Sequence, residues 1–119
     1  MTKTVDLTIC ELQELSHKTA LEKGWYDSVP PGGERNFGEL CALWHSEISE
    51  ALEDYRRGLD PKQVLIVNDK PTGIPIELAD LFIRVADTCQ RLGIDLTEAI
   101  RLKMSYNLRR PYRHGDKRA

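Results

Sequence analysis

The sequence predicts an all-α, four-helix bundle-like fold, and three observations predict it. Four stretches carry apolar residues at helical spacing, each bounded by a capping residue or first-turn proline and by a Gly or Pro stop. The connections between them are short. Strand signal is confined to one apolar run, Val64-Leu-Ile-Val, which fits either a short strand or a packed connection. Helices joined this way assemble as a bundle in one domain spanning 1–119, with 1–7 and 112–119 as flexible polar tails.

The elements follow in order. Thr8 with Glu11 reads as a capping box, and Ile9, Leu12 and Leu15 continue at helical spacing, so a first helix runs from about Thr8 to Glu22 and stops at Gly24. Two prolines and two glycines between Val29 and Gly33 make the following segment a loop. Asn36 with Glu39 offers a second capping box, after which Leu40, Leu43, Trp44, Ile48, Ala51 and Tyr55 share one face. Arg56 and Arg57 suit the carboxyl end and Gly58 ends the helix. Pro75 belongs in the first turn of a third helix, which Gly93 closes. Asp95 with Glu98 opens a fourth, ending near Arg110 before Pro111.

The third helix, Ile74 to Gly93, is apolar almost all round, which predicts burial; so short a chain has too little protein to cover it, so dimerisation or higher assembly through helices is expected. Glu77, Asp80, Arg84 and Asp87 nevertheless form a polar stripe along it at spacings of three and four. The second helix carries its own stripe, Glu47, Glu50 and Asp54. Facing acid pairs repel one another unless divalent cations sit between them. Oxygen ligands without Cys or a well-placed His favour Mg²⁺ or Mn²⁺ over zinc. Only Glu14-Leu-Ser-His17 has the Glu-x-x-His spacing that a di-iron centre would use twice. On the other side, each pair alone also fits a solvated helix face, Glu77 fits dipole compensation, and Asp87 fits a pair with Arg84 or Arg91.

Lys103, Asn107 and Arg110 lie on one face of the fourth helix, a set suited to phosphate and sugar oxygens or to an ordinary cationic helix end. Trp25, Trp44 and Tyr106 are candidates for stacking on a base, Trp44 equally for the core; His45 reads as structural. With 17 basic against 19 acidic residues the net charge is -2, which offers no global field for nucleic acid or an anionic membrane. Charge does gather at Arg109, Arg110, Arg113, Lys117 and Arg118, so a non-catalytic helical module that contacts nucleic acid or protein through this basic end is the alternative. Three scattered cysteines, Cys10, Cys41 and Cys89, read as buried free thiols, and with no apolar run long enough to span a bilayer a cytoplasmic location is expected.

Taken together, His45-Ser-Glu47-Ile-Ser-Glu50-Ala-Leu-Glu53, Glu77-Leu-Ala-Asp80, Lys103-Met-Ser-Tyr-Asn107 and Arg110-Pro-Tyr-Arg-His-Gly115 resemble the MazG-like nucleotide pyrophosphohydrolases of the all-α NTP pyrophosphatase superfamily, and Gly24-Trp25-Tyr26 is similar to phage-type single-domain members. The resemblance implies a Mg²⁺-dependent enzyme that cleaves a nucleoside triphosphate to the monophosphate and pyrophosphate. It implies Glu47, Glu50, Glu77 and Asp80 as metal ligands, Glu47 or Glu50 as the base with Glu53 a third choice, and Lys103, Asn107 and Arg110 on phosphates and sugar. The position four after Asp80, aromatic in many relatives, is Arg84 here, which exchanges a stacking or hydroxyl contact for one to phosphate or carboxylate and marks Arg84, with Trp25, as a substrate-tuning residue.

Overall fold

The computed structural model describes residues 6–111. It contains four helices and one hairpin: α1 (Ile9–Glu22), α2 (Phe37–Arg56), β1 (Leu65–Val67), β2 (Lys70–Thr72), α3 (Ile74–Leu92) and α4 (Leu96–Arg109). The all-α, four-helix expectation holds. Of the tails, residues 1–5 and 112–119, with Arg113, Lys117 and Arg118, lie outside the described residues.

Capping chemistry sets the helix starts. The Thr8 hydroxyl accepts from the Glu11 N–H while the Glu11 side chain accepts from the Thr8 N–H, at 3.0 and 3.1 Å. Asn36 and Asp95 accept in the same way from the N–H groups of Glu39 and Glu98, so each satisfies one donor that the first helical turn leaves unpaired. Gly93 ends α3 in the left-handed conformation, φ 72°.

The run from Val64 resolves as a strand, with a partner the sequence reading did not anticipate. β1 and β2 pair antiparallel, Leu65 opposite Thr72 and Val67 opposite Lys70, around a two-residue turn in which Asn68 and Asp69 both have positive φ, 50° and 64°. Pro71 is tolerated because the hairpin has only two strands, both of them edges. Gly73 then turns the chain into α3 at φ 111°, where a Cβ would stand 2.5 Å from the Gln63 carbonyl oxygen.

α3 is the spine: α1 packs on one part of it and α2 on another, while α4 leans mainly on α1. Gln13 of α1 ties the α3–α4 connection in place. Its amide donates to the Ile94 carbonyl at 2.8 Å and accepts from the Leu96 N–H at 3.2 Å, so one buried side chain satisfies two backbone groups 81 and 83 residues away.

Burial of α3 is less complete than its composition predicts. Within one chain Ile74, Ala86, Asp87, Thr88 and Cys89 are buried, but Leu78 and Ile83 are exposed and Phe82 is 65% exposed. The reason is geometric: two neighbouring helices cover two faces of the spine, and an apolar groove lined by Leu7, Leu12, Pro75, Leu78 and Phe82 remains open. α4 buries no residue and exposes Leu102, Met104, Tyr106 and Leu108. The thiols also differ from expectation. Cys89 is buried and Cys41 half-buried, but Cys10 is exposed, its Sγ donating to Glu14 Oε1 at 3.5 Å. Among the described residues no helix is long and apolar enough to cross a membrane.

Gln13→Ala leaves the Ile94 carbonyl and Leu96 N–H without their partner and should lower unfolding stability by about 1–3 kcal/mol. Urea denaturation at equal m-value measures this; an unchanged midpoint would contradict the assigned role.

Candidate metal centre and adjoining cavity

The polar stripes of α2 and α3 meet. Glu47, Glu50 and Glu77 each offer a carboxylate oxygen, and these oxygens all lie within 4.8 Å of one another. Glu47 and Glu50 are one helical turn apart on α2, and Glu77 projects from the first turn of α3, which the hairpin and Gly73 deliver to this place. Glu47 is buried, 6% exposed; Glu77 is half-buried and Glu50 exposed.

Crowding and burial act on the charges. Burial first, then the neighbouring Glu50 and Glu47, push Glu77 up to about 7. Burial and the nearby Asp80 charge raise Glu47, against the lowering effect of Arg84. Among the described residues Arg84 is the cation that enters: its Nε lies 3.1 Å from Glu47 Oε1 and donates to Asp80 Oδ2 at 3.3 Å. That leaves Glu47 Oε2 buried with no hydrogen-bond partner among the described residues. An unpartnered charged oxygen costs on the order of 1–3 kcal/mol or more.

A divalent cation suits this arrangement. The donor set is all carboxylate oxygen, as a hard cation requires, and opposed ligands of Mg²⁺ stand about 4.2 Å apart, close to the spread already present. A cation held there would also offer the orphaned Oε2 the partner it lacks.

Beside the carboxylates lies a cavity of about 210 Å³. Trp25, Trp44, Leu43 and Ile83 form apolar walls, Asp80 and Arg84 bound it at the carboxylate end, and Asp87 and Thr88 line it one to two turns further along α3. The Arg84 guanidinium sits over the Trp25 ring, 5.1 Å from its centroid, so Trp25 and Arg84 belong to one wall. Trp44 is half-buried and packs edge-on against Phe37, serving core and cavity together.

The remaining expected residues fall elsewhere. Asp80 stands outside the three-carboxylate set and pairs with Arg84 one turn along α3. Lys103 and Asn107 lie on α4 and Arg110 caps its carboxyl end, away from the α2–α3 seam, with Lys103 and Arg110 near the Tyr106 ring at 4.9 and 5.8 Å. Glu53 pairs with Arg56 on an exposed face. Asp87 meets neither cation considered for it. Its Oδ1 lies 2.7 Å from His17 Nδ1 and accepts from the Tyr26 hydroxyl at 3.0 Å, while Arg91 donates to the Gly33 carbonyl and stacks on Tyr26. This network, and Arg35 in the cavity wall, carry no motif; only the inward register of Asp87 on the α3 stripe hints at them.

No protein-family model and no solved structure matches the chain. A curated protein is similar to part of it: over 52 residues the chain is 40% identical to a dATP/dGTP diphosphohydrolase of Cyanophage S-2L, a stretch that takes in 44% of this chain and 49% of that protein. The match therefore spans about half the length of that relative.

Without metal, folded Glu77 titrates near 7 against an ordinary value of 4.5, so between these pH values the folded chain holds more protons than the unfolded one. Its contribution is lost as pH rises through that window. Glu77→Gln should therefore stabilise the metal-free chain at pH 8 more than at pH 4, as read by urea denaturation at both; an equal effect at the two pH values would contradict the crowding.

Proposed function

We propose that the chain is a Mg²⁺-dependent nucleoside triphosphate pyrophosphohydrolase of the MazG-like kind, converting a (d)NTP and water to the (d)NMP and pyrophosphate. The observation that carries this reading is the juxtaposition of a three-carboxylate cluster, whose buried member Glu47 holds an orphaned oxygen, with a base-sized aromatic cavity. The partial similarity to a phage dATP/dGTP diphosphohydrolase supports the same class of substrate.

Glu47, Glu50 and Glu77 would hold the cation, with Asp80, whose charge already bears on Glu47, as a fourth acid at the edge. Mg²⁺, for which Mn²⁺ can substitute, supplies neutralisation of the triphosphate and acidification of a bound water when present. The chain's own residues do the rest. Glu50, the exposed member of the cluster, is the proton acceptor facing incoming water, with Glu47 the alternative. Arg84, between the carboxylates and Trp25, would meet the sugar and first phosphate with a positive charge. Trp25 offers the base a stacking face.

Lys103, Asn107 and Arg110 complete the proposal as holders of phosphate and sugar in an assembled homodimer or homotetramer. Assembly would cover Phe82 and Leu78 on α3 and Leu102 and Leu108 on α4, which a single chain leaves open.

Incubated with Mg²⁺, the protein should convert at least one (d)NTP to monophosphate and pyrophosphate in equal amounts; diphosphate and orthophosphate would contradict the proposal. Glu50→Ala should lower turnover by more than the roughly 10–100-fold that outer partners of a metal carry, with circular dichroism unchanged. Full activity in that variant would remove Glu50 from the site.

A further inference from the structure

The far end of the cavity has a chemistry of its own. Asp87 is buried, lines the cavity, and stands seven residues beyond Asp80 on α3, so about 10 Å of helix separates the carboxylate end from the Asp87 end along one face. That is the scale of the reach from a nucleotide's phosphates to the far edge of its base. The cavity volume of about 210 Å³ is below the roughly 300–1,000 Å³ that encloses a drug-sized ligand, so it takes a base and leaves sugar and phosphates outside.

Asp87 is fixed as an acceptor. His17 and the Tyr26 hydroxyl both engage Oδ1, at 2.7 and 3.0 Å, from two different elements. A carboxylate facing His17 Nδ1 assigns the proton to that nitrogen. The Tyr26 hydroxyl is pushed up to about 12 by burial and then by Asp87, so it remains a donor. Tyr26 is held in turn by edge-on contact with His17 and by Arg91 over its ring. With Oδ1 engaged twice, Oδ2 has no hydrogen-bond partner among the described residues and is not sealed from solvent. Arg35 adds a donor to the same cavity, and its charge is felt at Tyr26.

We infer that Asp87 reads the nucleobase, its Oδ2 accepting from the N–H edge of a purine, and that the cavity prefers guanine to adenine. This deepens the proposed function and rests on it for the orientation of the nucleotide. Guanine presents two adjacent N–H donors, at N1 and N2, to the two lone pairs of Oδ2, beside an O6 acceptor suited to Arg35. Adenine gives the carboxylate a single N–H and sets the lone pair of its N1 against the negative charge. A buried group built to accept a hydrogen bond discriminates strongly against a partner that lacks the donor. Asp87 is thus a specificity residue that touches the base, and His17 and Tyr26 are positioning residues that act through it.

Calorimetric titration of the full chain in Mg²⁺ with dGMP, dIMP and dAMP tests this, because product nucleotides bind without turnover. dGMP should bind about tenfold or more tighter than dAMP, with dIMP, which keeps N1–H but lacks the 2-amino group, between them. Asp87→Asn should cost dGMP about tenfold while leaving dAMP within about twofold. Tyr26→Phe keeps the ring and the carboxylate and removes only the hydroxyl; it should narrow the dGMP/dAMP ratio by a few-fold, and it decides the matter if Asp87→Asn does not fold. Equal affinity of the wild-type chain for dGMP and dAMP would overturn the inference, as would an equal loss for both nucleotides in either variant. Hydrolysis of dGTP and dATP by the same preparations separates the two claims: turnover without base preference sinks the role of Asp87 alone, and base preference without turnover sinks the hydrolase reading alone.

Discussion

The structure turns on one buried carboxylate. Glu47 carries its charge to the seam between α2 and α3, where burial and the charges of Asp80 and Glu50 act against it and Arg84 favours it. Burial strengthens every one of those interactions, because the low-dielectric surround that makes the charge costly also makes a bound cation effective. A chain of this size has on the order of 5–15 kcal/mol of net stability, so an orphaned buried oxygen is a substantial load on it. A divalent ion at the seam would remove the self-repulsion and satisfy the lone oxygen together.

The rest of the fold serves that seam. The hairpin and Gly73 fix where α3 begins, which sets Glu77 against α2; Gln13 fixes where α3 hands over to α4. Between these ends α3 presents its polar stripe to the inside in register: Glu77 to the carboxylate cluster, Asp80 and Arg84 to the mouth of the cavity, Asp87 to its far wall. One helix face thus runs from the carboxylate cluster to the far wall of the cavity. The apolar remainder of α3 and the outer face of α4 are left uncovered by a single chain, which is where a second copy has most to gain by docking.

Much of this was legible in the sequence, for local reasons. Thr8, Asn36, Asp95, Pro75 and Gly93 announce helix ends through chemistry confined to one turn, and all five stand where they were expected. The pairing of Glu47 and Glu50 with Glu77 followed from spacing and from an apolar helix that carried acids. The hairpin escaped because Asn68-Asp69 is a weaker turn signal than Asn-Gly and the strands have three residues each. The partners of Asp87 escaped for a different reason: His17 and Tyr26 lie 70 and 61 residues away, and nothing in the periodicity of α1 or of the loop fixes which acid they meet. Asp80 shows the limit of spacing from the other direction, since an Arg one turn along the same helix competes for it.

The central claim is that Glu47, Glu50 and Glu77 form a cation site at the α2–α3 seam. Anomalous diffraction from a crystal soaked in Mn²⁺ tests it most directly, since Mn²⁺ scatters anomalously and substitutes for Mg²⁺ at oxygen sites. An anomalous peak is expected within bonding distance of Glu47 Oε2 and of carboxylate oxygens of Glu50 and Glu77. A seam without a peak at saturating Mn²⁺, or a peak held by other residues alone, would contradict it.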